Sequence, residues 1–202
     1  MTYVNAGSLV DTAWVADHLD DPNVRILDGS YHLAATGRNG KAEYQEAHIP
    51  GTIHFDIDAV CDPAPTPSPH MFPSADDFSA AVGAMGISND QRVIVYDADG
   101  LFSAPRVWWM FRAFGHENVA VMTGGFRKWQ AEDRPVTADI PSFAAATFSA
   151  SLDETKLRSI AQIQANIEST EELVLDARAA NRFDGSQPEA RAGVEPGHIP
   201  GS

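Results

Sequence analysis

The sequence predicts an α/β fold built on a mostly parallel sheet with helices on both faces. Three observations carry that expectation. Short continuous apolar runs, Val24 to Asp28, Val93 to Tyr96 and Val119 to Met122, have the character of strands buried on both sides. They alternate with stretches of about ten residues in which apolar positions recur at helical spacing. Serines, prolines and glycines bound the stretches, as separate elements require. Strand and helix in alternation build a parallel sheet, because each crossover helix must bury its apolar stripe against a sheet face.

Taken in order, Ser8-x-x-Asp11 is expected to open the first helix, with Leu9, Ala13, Ala16 and Leu19 on one face. Val24 to Asp28 (VRILD) follows as a buried strand. Lys41 to Ala47 suits a short polar helix, and His48-Ile49-Pro50-Gly51 forces a turn before an alternating run from Ile53 to Ile57. Asp62 to Pro73 is crowded with prolines and predicts an irregular loop. Ser74 caps a helix carrying Phe78, Ala81, Val82 and Met85 on one face, stopped by Gly86. After the VIVY strand, Ser103 and Pro105 start a helix through Trp108, Phe111 and Phe114 that Gly115 ends. Val119 to Met122 is the next strand, and Gly124-Gly125 leads into a helix ending near Glu132.

Composition narrows the function classes. The 202 residues carry 14 Lys+Arg against 28 Asp+Glu, a net charge of −14 that disfavours nucleic acid or an anionic membrane as partner. With 44% hydrophobic and 21% charged residues, the chain can bury a core and is not disordered by composition. A single cysteine, Cys61, excludes an internal disulfide framework and any cysteine-based metal cluster. No run approaches the ~20 apolar residues of a membrane span. The acidic, interrupted start is unlike a signal peptide, so a cytoplasmic protein is the default expectation.

Residues 136–154, with prolines, small residues and little period, read as a linker between two domains. Beyond it the first pattern returns. Ser159-x-x-Gln162 opens a helix with Ile160, Ile163 and Ile167, then comes Leu173 to Asp176 (LVLD), then a second His-Ile-Pro-Gly at His198 to Gly201. The offset from Asp28 to Asp176 nearly equals that from His48 to His198, which marks a tandem repeat. The expected organisation is a complete domain over 1–135 and the first part of a second over 155–202. The second copy reads as truncated before its central strands. It should therefore show an unpaired edge and an apolar face that a complementary segment of the same protein would cover.

Several side chains could carry chemistry. Cys61 lies among Asp56, Asp58 and Asp62, whose negative charge disfavours a thiolate, and reads as incidental. Asp97, at the carboxyl end of the VIVY strand, could bind a ligand or organise the loop. Asp58 and His70 flank the proline-rich loop; a carboxylate can orient an imidazole for proton transfer, though the spacing alone does not pair them. Arg182 and Arg191 could grip a small carboxylate by bidentate hydrogen bonds or remain solvated charges. The other histidines, His18, His32, His48, His54, His116 and His198, show no metal-ligand spacing, and no metal or cofactor is expected. A hydrolase or phosphatase is disfavoured, because neither a Gly-x-Ser-x-Gly elbow nor a cysteine–arginine phosphate loop is present.

The run from Ser103 to His116 (SAPRVWWMFRAFGH) resembles the tandem-domain rhodanese family. So do Gly124-Gly125-Phe126-x-x-Trp129, His48-Ile49-Pro50-Gly51 with Phe55-Asp56-Ile57-Asp58, and the loop from Arg182 through Pro188-Glu189-Ala190-Arg191 to Ser202. The Pro-Glu-x-Arg segment is more similar to 3-mercaptopyruvate sulfurtransferases than to thiosulfate sulfurtransferases. The resemblance implies two rhodanese-like α/β domains, the first catalytically silent, with Asp97 where the second carries a nucleophilic cysteine beyond Ser202. It implies transfer of a sulfane sulfur from a small-molecule donor, through a cysteine persulfide, to a thiol or cyanide acceptor, so that this chain alone should be inactive. It also implies that Asp58 and His70 join an active-loop serine in a proton relay, and that Arg182 and Arg191 contact the donor. The alternative is a non-catalytic rhodanese-like binding or regulatory module.

Overall fold

The computed structural model describes residues 6–64, 70–189 and 194–202, which form two compact units divided after Asp153. In the first unit five strands are joined: β1 (Leu9–Val10), β2 (Val24–Asp28), β3 (Ile53–His54), β4 (Arg92–Tyr96) and β5 (Val119–Met122). All pairs are parallel, in the spatial order β1-β5-β4-β2-β3. Between them run α1 (Thr12–Asp17), α2 (Gly40–Glu46), α3 (Ala75–Ala84), α4 (Ala104–Ala113) and α5 (Gly125–Ala131).

The apolar strands alternate between two cores, as a sheet covered on both faces requires. Val93 and Val95 of β4 join Leu27, Val119 and Val121 on one face, under Phe78 of α3 and Val107, Met110 and Phe111 of α4. Ile94 and Tyr96 join Ile26, Ala120 and Met122 on the other, under Val15 of α1 and Trp129 of α5. The expected parallel sheet with helices on both faces is what the chain forms.

Three local expectations need correction. The first helix starts at Thr12, with Asp11 as its cap accepting from the Trp14 N–H at 2.8 Å. Leu9 and Val10 instead pair with Val121 and Met122, because an edge position on a buried sheet outweighs their helical spacing. The third strand stops at His54, although Phe55 still donates its N–H to Asp28 O at 2.8 Å. The Asp56 carboxylate then accepts from the N–H of Asp58 (3.0 Å) and Ala59 (3.3 Å), and this side-chain turn ends the extension.

The third correction concerns the stretch expected as a linker. It lacks helix or strand, as its composition implies, but it is bound to the first unit. Thr137 and His48 exchange backbone hydrogen bonds at 2.9 Å, Ala146 N–H donates to Gly83 O at 2.9 Å, and Ser151 N–H to Phe114 O at 3.1 Å. Phe148 is buried against Phe78 and Phe111. The first unit therefore extends to Asp153 rather than to residue 135.

The second unit holds α6 (Ile160–Ser169), opened by the expected Ser159/Gln162 capping box, and the short α7 (Ala180–Phe183). Leu173 to Asp176, expected as a strand, forms none, and Leu173 and Leu175 are exposed. A strand needs hydrogen-bonding neighbours, and among the described residues nothing pairs with this segment. No helix among the described residues is long and apolar enough to cross a membrane.

Candidate functional site

The side-chain turn after β3 presents Asp58 at the carboxyl end of the sheet, and its carboxylate meets His70 Nε2 at 2.5 Å. The two residues are twelve apart, across a segment whose middle lies outside the described residues. A carboxylate on Nε2 holds the proton there, so Nδ1 is the basic nitrogen of the neutral ring. His70 has φ +62°, in the left-handed region that non-glycine residues adopt uncommonly. The Tyr31 ring stands edge-on to the imidazole, centroids 5.1 Å apart. Arg106, in the first turn of α4, donates from Nη2 to the His70 carbonyl and lies 4.7 Å over the Phe72 ring. The pairing of Asp58 with His70 was open in the sequence and is made in the fold.

Asp97 ends the extension of β4 and is buried. Its Oδ2 accepts from the N–H groups of Phe102 (2.7 Å), Ser103 (2.8 Å) and Ala104 (2.8 Å), and Oδ1 accepts from Gly100 N–H. A carboxylate here satisfies the orphan donors at the start of α4 and meets the positive end of the helix dipole. Ser103 and Pro105 start α4 as expected, with the Ser103 hydroxyl accepting from Tyr31 N–H at 3.1 Å rather than capping the helix. Held by four N–H groups of the loop leading into α4, the Asp97 carboxylate organises that loop.

The same edge carries a charged lattice that joins residues far apart in the chain. Arg38 pairs with Glu43 of α2 and with Asp99, and the nearly buried His32 sits 2.9 Å from Glu43 and 3.7 Å from Asp99. The Arg38 hydrogen bonds hold the Glu43 carboxyl below its ordinary range. Behind it, burial pushes the Asp28 carboxyl up and the His54 imidazole down.

Cys61 is half-buried and donates from Sγ to Asp58 O at 3.1 Å. Arg182, in α7, is ion-paired with Glu189, which also takes Arg178 at 2.8 Å. Arg191 lies outside the described residues, so the expected pairing of the two arginines has no described geometry. Among the described residues no group of histidine, cysteine and carboxylate side chains could hold a metal ion. Sequence reasoning missed Arg106 and Tyr31. Arg106 stood inside the Ser-Ala-Pro-Arg run, but only the fold shows that it reaches His70.

A five-stranded parallel sheet, helices on both faces and an aspartate-filled loop before α4 define a rhodanese-type unit. The profile of the rhodanese-like domain matches residues 11–132, and the chain belongs to the rhodanese family of sulfurtransferases. Its relatives include 3-mercaptopyruvate sulfurtransferase of Rattus norvegicus, 44% identical over 201 residues that make up 96% of this chain and 67% of that protein. Thiosulfate sulfurtransferase of Bos taurus is also 44% identical, over 202 residues and the same shares. The chain thus spans about two thirds of the length of these relatives. The crystal structure of the 3-mercaptopyruvate sulfotransferase SseA from Escherichia coli superposes with a TM-score of 0.86 at 34% identity, covering 96% of this chain and 72% of that one.

Proposed function

We propose that the protein moves a sulfane sulfur from 3-mercaptopyruvate, through a cysteine persulfide, to a thiol or cyanide. The observation that carries this reading is the Asp58–His70 pair at 2.5 Å, held at the carboxyl ends of the strands where α/β sheets bind ligands. Equal identity to relatives named for two donors leaves the donor to be argued from chemistry. When a thiolate takes the sulfur of 3-mercaptopyruvate, an S–S bond forms, the C–S bond breaks, and the electron pair left on carbon must take up a proton. Thiosulfate releases sulfite, a stable anion that needs none. An imidazole oriented by a carboxylate serves the first donor and is superfluous for the second.

In this reading the first unit supplies the proton relay, and the sulfur is carried by a cysteine other than Cys61. Arg182 and Arg191 bind the donor carboxylate and ketone oxygens, aiming the sulfur at the nucleophile. The non-catalytic alternative has one observation in its favour, the Asp97 carboxylate filling the loop before α4. Kinetics of His70→Ala in the full-length protein decide between them. Turnover of 3-mercaptopyruvate should fall by ~10²–10⁴-fold, the usual contribution of a general acid–base group, with thiosulfate turnover much less affected. Equal turnover of 3-mercaptopyruvate by variant and parent would remove His70 from the chemistry.

A further inference from the structure

We propose that Arg106 is a positioning residue that holds His70 in its working place from the first turn of α4. The inference rests on the relay reading above. Two contacts make the clamp: Arg106 Nη2 donates to the His70 carbonyl, and its guanidinium lies 4.7 Å over the Phe72 ring. Residues 70 and 72 are thus gripped from the same side chain. Phe72 is itself anchored against Phe114, centroids 5.8 Å apart, and Met71 O accepts from Asp62 N–H at 2.9 Å. Tyr31, tied to α4 through Ser103 Oγ, closes the other side of the imidazole. Among the described residues, the Arg106 hydrogen bond and, through Ser103, the Tyr31 ring contact on His70 both run back to the start of α4.

The arginine carries a cost at this position. Arg106 Nε is buried and has no hydrogen-bond partner among the described residues, and burial lowers the guanidinium pKa. A methionine of similar reach would fill the space over Phe72 without a desolvated charge. What methionine lacks is a donor for the His70 carbonyl. That donor holds a left-handed backbone conformation at the residue whose ring must meet Asp58 and the reacting carbon. A retained cost with a local benefit only at His70 points to geometry rather than to folding.

The test is a double-mutant cycle of Arg106→Met and His70→Ala in the full-length protein, read with both donors and by thermal melting. Arg106→Met should melt no lower than the parent. Its kcat for 3-mercaptopyruvate should fall by about 10- to 100-fold, the range for a misplaced catalytic group, with KM changed less than about twofold. Arg106→Lys, which keeps a donor but loses the planar fork, should fall between Arg106→Met and the parent. In the His70→Ala background, Arg106→Met should cost no further activity, because the group it positions is gone. A loss that persists in that background, or that is equal for both donors, would show a general structural role and overturn the proposal. So would full activity of Arg106→Met beside a crippled His70→Ala. If His70→Ala itself is fully active, the relay reading fails and this inference falls with it.

Discussion

Val24–Asp28 and Leu173–Asp176 carry nearly the same letters, VRILD and LVLD, and do opposite things. The first is a strand between β3 and β4, and Leu27 within it is fully buried. The second forms no strand, and Leu175, which stands before Asp176 as Leu27 stands before Asp28, is 81% exposed. Both segments have the composition of a buried strand; among the described residues only the first has neighbours to pair with. A strand belongs to the sheet that accepts its hydrogen bonds, and local preference only nominates it.

The sharpest way to break this comparison is the same substitution at both leucines. Leu27→Ala should destabilise the first unit by ~2–5 kcal/mol, through lost burial and the cavity left under α3 and α4. Leu175→Ala in this chain should change stability by less than ~0.5 kcal/mol, as expected at an exposed site. Denaturant melts of both variants check it. Comparable losses would show that Leu175 is buried in solution and that the two segments are alike after all.

A second variant sharpens the contrast between a packed loop and a reactive one. Asp97→Ala leaves four N–H donors in the loop and first residue of α4 without their acceptor, three of them at 2.7 to 2.8 Å. Each hydrogen bond to a charged group contributes ~1.5–3 kcal/mol, and water entering the vacated space would offset part of the loss. The melting temperature should fall clearly, and Asp97→Asn should lose less, since its amide oxygen still accepts. An unshifted melting temperature would remove Asp97 as the organiser of this loop.

The next effect separates the two donors. In the full-length protein Arg182→Lys should lower kcat/KM more for 3-mercaptopyruvate than for thiosulfate, since lysine keeps the charge but loses the fork that aims a carboxylate. In this structure Arg182 is engaged by Glu189, so its orientation is already constrained before any donor arrives. Equal small losses for both donors would reduce the arginine to a general positive field.

The smallest effect is a pH slope. Burial lowers the pKa of His54 and of His116, and each has one ring nitrogen buried with no hydrogen-bond partner among the described residues. A base whose folded pKa lies below its unfolded 6.5 binds protons more readily when unfolded. Stability should therefore be level above that value and fall as the pH drops through it, toward the folded pKa values. Melting curves at pH 7.5 and about 5.5 test the sign. His116→Phe should flatten the slope, and a slope of the opposite sign would mean these imidazoles are charged in the fold.

Much of the first unit was legible because its signals are local. Apolar runs, the Ser74 cap and the Gly86 stop needed no tertiary knowledge to read, nor did the Ser159 cap in the second unit. Where reading failed, a distant partner had decided the matter. Leu9 and Val10 joined β5, and residues 136–153 found hydrogen bonds on α3 and α4 that composition cannot announce. The site divides in the same way. Asp58 and His70 could be nominated singly, but their contact, the Asp97 cradle and the reach of Arg106 all depend on loops brought together at one sheet edge.

The function proposed above assigns the proton relay to Asp58 and His70 and gives Cys61 no part in carrying sulfur. Mass spectrometry of this chain after incubation with 3-mercaptopyruvate tests it directly, with tryptic mapping of the Cys61 peptide before any reductant is added. The account predicts a parent mass without added sulfur and an unmodified Cys61. One added sulfur on Cys61, released by cyanide as thiocyanate, would contradict it and place the nucleophile beside Asp58 instead.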